Sequence, residues 1–253
     1  MEEIAEKKRF GLSGSTLKII AMVTMLIDHI GAAVLYRYLW DMRSHLTDVD
    51  TYNALVHLYR ILRGIGRVSF PIYCFLLVEG FQRTRNLKNY ILRLSFFALI
   101  TEIPFDLCFA GRVFYKDYQS VMLTLLIGVL TMWGVSLLEK HIPIKLLVLI
   151  GGASVIAAGA VTAELLHTDY GYIGILCIMT LYVLRKNKLL QLTGGCISFL
   201  WEKTAPLAFL PIAFYNGKRG LKLKYVFYAF YPVHLLILYL ICVLMGTASI
   251  SAV

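Results

Sequence analysis

Charge is scarce in this chain. Only 16% of its 253 residues are Asp, Glu, Lys or Arg, while 59% are hydrophobic. Soluble domains carry about 25% charged and about 45–50% apolar residues, so the composition argues against a water-soluble globule. Strands of a membrane barrel need only about 9–11 residues and alternate in polarity; the apolar runs here are longer and do not alternate. The five cysteines (Cys74, Cys108, Cys177, Cys196, Cys242) all lie in apolar stretches and form no CxxC pair. They read as small packing residues, not as a disulfide framework or a zinc site. GxSxG, HExxH and Walker lysine loops are missing, so serine-nucleophile, zinc-protease and nucleotide-hydrolase chemistry find no support. The N-terminus "MEEIAEKKRFGLSGSTLK" is polar, and no cleavable signal peptide is evident.

What the chain does have is hydrophobic length. Mean hydropathy is +0.72. Nine apolar segments are legible, near 16–38, 66–83, 90–110, 120–138, 144–163, 170–184, 189–201, 204–216 and 225–246. The fold class expected is all-α: a polytopic membrane helix bundle of about nine transmembrane segments. A cytoplasmic N-terminal segment (1–15) precedes one integral-membrane domain (16–253). Segments seven and eight are short, and Pro206 and Pro211 interrupt the second, so they are expected to be tilted, broken or re-entrant. The mixed stretch 40–65 has apolar residues at 55, 58, 59 and 62, which predicts a short amphipathic helix at the outer interface.

Lysine and arginine orient the bundle. With the N-terminus in the cytoplasm, 17 of the 25 basic residues fall inside, as positive-inside topology requires. The same rule accounts for the net charge of +10 without nucleic acid. The link "AELLHTDYGY" has no Lys or Arg and suits an outer loop.

Ionisable residues inside apolar spans are costly, about 2.5–3.5 kcal/mol each at mid-bilayer, and usually face a protein interior or a wet cavity. Asp28 and His29, in "MLIDHIGAAVL", lie about 20 Å into the first span. As neighbours they point about 100° apart. A neutral imidazole accepts a proton near pH 7, and a carboxylate nearby holds its tautomer. The alternative is that both only lock helices together by hydrogen bonds. Glu79 and Arg83 share a helix face and read as an ion pair. Arg67 opens the second span. Glu102 and Asp106 flank Pro104 in "TEIPFDLCF", where helical geometry is not assured. Asp169 and Tyr170 lie in "DYGY", and His234 sits well inside the last span. "NGKRG" is a turn whose cations are suited either to phosphates or to topology alone.

The stretches "LKIIAMVTMLIDHIGAAVL", "RVSFPIYCFLLVEGFQRTRNLKNYILRL", "ALITEIPFDLCF", "DYGYIGILCI" and "FYNGKRG…KYVFYAFYPVHLLILYL" resemble the TraX family over nearly the whole chain from Leu17. TraX-like proteins are associated with N-terminal acetylation of conjugative pilin subunits. The family also looks like a compact relative of transmembrane acyltransferases that place an essential histidine in the membrane. The resemblance implies a multi-pass protein of the bacterial inner membrane, with acetyl-CoA or another acyl-CoA as co-substrate. The acceptor would be a protein N-terminus or a small molecule. It further implies His29 as general base, with Asp28 orienting or stabilising the ring. Arg83, Arg85, Lys88, Asn216, Lys218, Arg219 and Lys222 would face the CoA phosphates. Arg67, Glu102, Asp106, Asp169, Tyr170 and His234 fall on the acceptor side. No metal is expected. The reading from a different class is a proton-coupled transporter using Asp28 and His29 as a relay; a third is a non-catalytic assembly factor.

Overall fold

The computed structural model describes residues 11–45, 48–222 and 224–252, and these form helices joined by short turns. Part of the N-terminal segment, including Lys7, Lys8 and Arg9, lies outside the described residues. The elements are α1 (Gly14–His29), a π-helical stretch (Ile30–Leu35), α2 (Tyr36–Ser44), α3 (Val49–Gly66), α4 (Ser69–Arg83), α5 (Leu87–Ala110) and α6 (Val121–His141). They continue as α7 (Lys145–Leu165), α8 (Gly171–Val183), α9 (Lys188–Ser198), α10 (Phe209–Ala213) and α11 (Lys224–Leu244). Helices start where a short polar side chain caps a free backbone N–H. Ser13, Asp48, Asn86 and Asn187 do this for α1, α3, α5 and α9. Gly111, at φ +66°, ends α5 in the left-handed conformation.

Among the described residues, five helical runs are long and apolar enough to cross a membrane: Gly14–Ser44, Val49–Arg83, Val121–His141, Lys145–Leu165 and Tyr225–Leu244. The chain is therefore a membrane protein by helix length and composition. All nine apolar segments of the sequence become helical, but α8, α9 and α10 have only 13, 11 and 5 residues. The seventh and eighth segments are broken: α9 ends in turns, and Pro206 begins a 3-10 turn before α10. Lipid-facing surface is easiest to see on α7. It buries only Gly152, Ala160 and Ala163 and leaves Leu149 and Leu165 70% and 73% exposed.

Two of the sequence expectations change. The helix expected in the 40–65 stretch is longer than foreseen and packed: α3, of 18 residues, runs antiparallel along the first helix and leads into α4 after a two-residue turn. Small residues allow this close approach. A Cβ at Gly66 would overlap the Asp28 side chain, and one at Gly31 would press on Leu62 at 3.2 Å. Pro104, for its part, does not break α5, which continues to Ala110 while packing on α6 and α11.

The first 31-residue run is about 46 Å long and the 35-residue run beside it about 52 Å, against a hydrocarbon core of about 30 Å. Both are irregular, the first in its π stretch and the second at Arg67 and Val68. One end of the bundle is basic. There the chain at Gly14 and Ser15 donates to the carbonyls of Lys218 and Arg219, and Arg83 reaches the Gly217 carbonyl at 2.5 Å. The loops after α5, α7 and α9 gather at the opposite end.

Candidate active site

His29 is the last residue of α1, where the helix widens from α to π. A π turn inside an α-helix often marks a functional site. Its Nδ1 lies 2.7 Å from Nε2 of His234 on α11, and the two rings are coplanar to within 3°. His234 Nδ1 in turn lies 2.7 Å from the Phe230 carbonyl oxygen. That oxygen is only an acceptor, so His234 Nδ1 carries the hydrogen. In the neutral ring its Nε2 must then accept, and His29 Nδ1 must donate. The proton of neutral His29 is thereby assigned to Nδ1, and Nε2 keeps a lone pair. Phe109 and Tyr231 meet the His29 ring edge-on, at 5.4 and 6.0 Å.

Asp28 turns away from His29 toward α3. Its Oδ2 accepts from Arg63 at 2.5 Å, and its Oδ1, although buried, has no hydrogen-bond partner among the described residues. One turn further on, Arg67 pairs with Glu202 at 3.4 Å and hydrogen-bonds Tyr170. Tyr170 stacks on Phe70 with centroids 3.6 Å apart. Beside it, Asp169 accepts from the Tyr118 hydroxyl at 2.8 Å. Asp169 lies in the loop before α8. Burial pushes its carboxyl up to about 6, against the opposing pull of the Tyr118 hydrogen bond and the Arg67 charge. The loop is pinned by backbone bonds between Gln119 and His167 and between Asp169 and Gln119. It holds two non-glycine residues at positive φ, His167 (+50°) and Tyr170 (+68°).

Two adjacent cavities result. An inner chamber of about 90 Å³ is lined by His29, Asp28, Phe70, Tyr73, Phe109 and Ala252, among others. An outer cleft of about 510 Å³ opens among the loops, with Asp117, Glu164, Thr168, Tyr172, Trp201 and Glu202 in its wall. Arg63, Arg67, Tyr118, Asp169 and Tyr170 border both and form the partition between them.

The structure thus brings Asp28, His29, Arg67, Asp169, Tyr170 and His234 into one region, although His234 touches His29 without lining either cavity. Glu102 and Asp106 stand apart. Glu102 accepts from the backbone and hydroxyl of Ser120 at the start of α6. Asp106 Oδ2 accepts from the Tyr115 backbone N–H. Both hold the loop that presents Tyr118, rather than the cavity itself. The cationic candidates sit at the basic end. Arg85, Lys88, Arg219 and Lys222 are exposed. Arg83 is engaged by Glu79 at 2.7 Å and lies over the Tyr215 ring. Asn216 is a structural residue: its amide donates to the Gly11 carbonyl and its oxygen accepts from the Lys218 backbone N–H.

Sequence reasoning missed Arg63, Phe70, Tyr118, Trp201 and Glu202. For Arg63 a signal existed: "RGIGR" places two glycines between two arginines, the composition of a close helix crossing.

A relative in Dichelobacter nodosus, named "Probable fimbrial assembly protein FimC, serogroup H1", is 27% identical over 262 residues, covering 91% of this chain and 96% of its own length. No solved structure is significantly similar. A sequence model described as "TraX protein" matches residues 13–242, spanning α1 to α11 and therefore both histidines. This protein belongs to the TraX family.

Proposed function

We propose that the protein is an integral-membrane acyltransferase that moves an acyl group, in the first instance acetyl, from acyl-CoA to an amine or hydroxyl. The observation that carries this reading is the Phe230–His234–His29 hydrogen-bond chain, which leaves an unprotonated Nε2 on a residue lining the inner chamber. His29 Nε2 takes the proton of the acceptor as the acceptor heteroatom attacks the thioester carbon. The C–S bond then breaks, and His29 returns the proton to the departing sulfur, giving the acylated acceptor and free CoA. General-base help of this kind contributes about 10²–10⁴-fold. His234 holds the tautomer; it is a positioning residue, much as an outer partner orients a metal-bound imidazole. Asp28 positions α3 through Arg63.

The donor's phosphates fit the basic end, where Arg85, Lys88, Arg219 and Lys222 offer exposed cations. His29 lies about 22 Å along α1 from Gly14, a reach on the order of an extended pantetheine arm. Membership of the TraX family and the fimbrial-assembly name of the relative favour a pilin-type subunit as acceptor. The multi-pass bacterial inner membrane is the matching location.

The test uses the full chain in lipid nanodiscs, acetyl-CoA, candidate subunits and mass spectrometry of the acceptor. A mass gain of one acetyl group that disappears in His29→Ala, with CoA binding retained, supports the reading. Full transfer by His29→Ala overturns it.

A further inference from the structure

The outer cleft is opposite in sign to the rest of the chain. The protein has a formal net charge of +10, yet the cleft wall presents Asp117, Glu164, Asp169 and Glu202 against only Arg63 and Arg67. Both arginines are engaged, Arg63 by Asp28 and Arg67 by Glu202. Lys116 and Lys203, next in sequence to two of these acids, do not line the cleft, and His167 does. Aromatic rings complete the wall: Tyr118 and Tyr170 at the inner side, Tyr172 and Trp201 at the mouth, the last two 48% and 42% exposed. Carboxylates beside ring faces form a favourable environment for an organic cation. An independent feature marks the wall as unfinished without a ligand. Thr168, 5% exposed, is part of the wall and carries a buried hydroxyl with no hydrogen-bond partner among the described residues, and such groups are rarely left so in native proteins. The loop that bears it also keeps His167 and Tyr170 at positive φ.

We propose that this cleft docks a lysine or arginine side chain of a polypeptide acceptor, placed beside the residue whose amine or hydroxyl enters the inner chamber. The proposal rests on the acyltransferase reading and deepens it: the acceptor is selected by positive charge flanking the modified group. The same acidic wall repels the phosphates of acyl-CoA. Donor and acceptor therefore approach His29 from opposite ends of the bundle.

The experiment separates docking from chemistry. The full chain in nanodiscs, without any acyl donor, is titrated with N-acetyl-Gly-Lys-Lys-amide, N-acetyl-Gly-Gly-Gly-amide and N-acetyl-Gly-Glu-Glu-amide. The lysine peptide binds saturably, about tenfold or more tighter than the glycine peptide, and the glutamate peptide does not bind. The double variant Asp117→Asn/Glu164→Gln weakens the lysine peptide about fivefold or more, whereas His29→Ala leaves it unchanged. Equal affinity for the lysine and glutamate peptides, or an unaltered affinity in the double variant, overturns the proposal. If the lysine peptide binds as described but no acyl transfer occurs with any acceptor, the acyltransferase reading fails and the cationic site stands. If transfer occurs without charge preference, the reverse holds.

Discussion

His29 on α1 and His234 on α11 share a hydrogen bond of 2.7 Å between Nδ1 and Nε2, across 205 residues of sequence. Neither ring's role follows from its own surroundings alone. The Phe230 carbonyl sets His234, and His234 sets His29.

This ordering predicts different losses at the two positions. His29→Ala removes the base and should lower transfer about 10²–10⁴-fold. His234→Ala removes only the group that holds the tautomer and should cost about 10–100-fold. His234→Gln, whose amide oxygen accepts from His29 Nδ1, should recover part of that loss, which a purely packing role would not explain. Steady-state rates of the three variants, with folding checked by size-exclusion elution, decide the matter.

The Asp28–Arg63 pair joins α1 to α3 in a half-buried setting, with side chains 13% and 23% exposed. Arg63→Ala leaves a carboxylate with no partner on either oxygen, since Oδ1 already lacks one. The expected penalty is about 2–3 kcal/mol, read as a lower thermal midpoint in detergent. Asp28→Leu combined with Arg63→Leu should be the more stable of the two proteins, because removing both charges removes the desolvation cost.

Gly66→Ala tests the close crossing directly. An added methyl would occupy the space of the Asp28 side chain, so α3 must move away from α1. A loss of about 1–3 kcal/mol is expected, together with reduced transfer. The companion change Gly152→Ala, where a Cβ meets nothing within 4 Å, should leave stability and activity unaltered. Thermal scans of both variants provide the comparison.

Asp169 gives a pH signature. Its folded value, about 6, lies above that of an unfolded aspartate because burial disfavours the charge. The folded state then binds the proton more tightly, so this group's contribution to stability is complete below about pH 4 and lost as pH rises through about 6. Asp169→Asn should therefore raise the thermal midpoint more at pH 8 than at pH 4. Midpoints measured across that range should show a falling component in the parent that the variant lacks.

The helices were legible because lipid imposes one simple demand: long apolar runs that satisfy their own backbone. His29 and Asp28 stood out for the same reason, being costly where they are. Their partners were hidden by two different effects. His234 pairs across the full bundle, and no local pattern encodes such distance. Arg63 lies in a stretch whose mixed polarity looks solvated, because α3 exposes Leu58, Ile61 and Ile65 on one side while turning its arginines inward on the other. Of the cleft, Arg67, Asp169 and Tyr170 were named from the sequence, but Tyr118, Glu164, Trp201 and Glu202 were not seen to join them, since the wall is assembled from helix ends and loops far apart in the chain.

Arg37 is wholly buried, and its guanidinium donates to the carbonyls of Cys108, Phe109 and Ile250. It stands eight positions beyond His29, with the π stretch Ile30–Leu35 between them. A π turn takes up an extra residue, which sets back the angular phase of everything downstream by about 100° relative to a continuous α-helix. Deleting a single alanine from "GAAV" would remove that extra residue and restore ordinary α winding with Arg37 still inside its ring of carbonyls and both histidines in place, because the lost residue and the lost π turn cancel. Straightening the π stretch at unchanged length would instead carry Arg37 about 100° away from those carbonyls, so the place of this side chain depends on the extra residue and the π turn together.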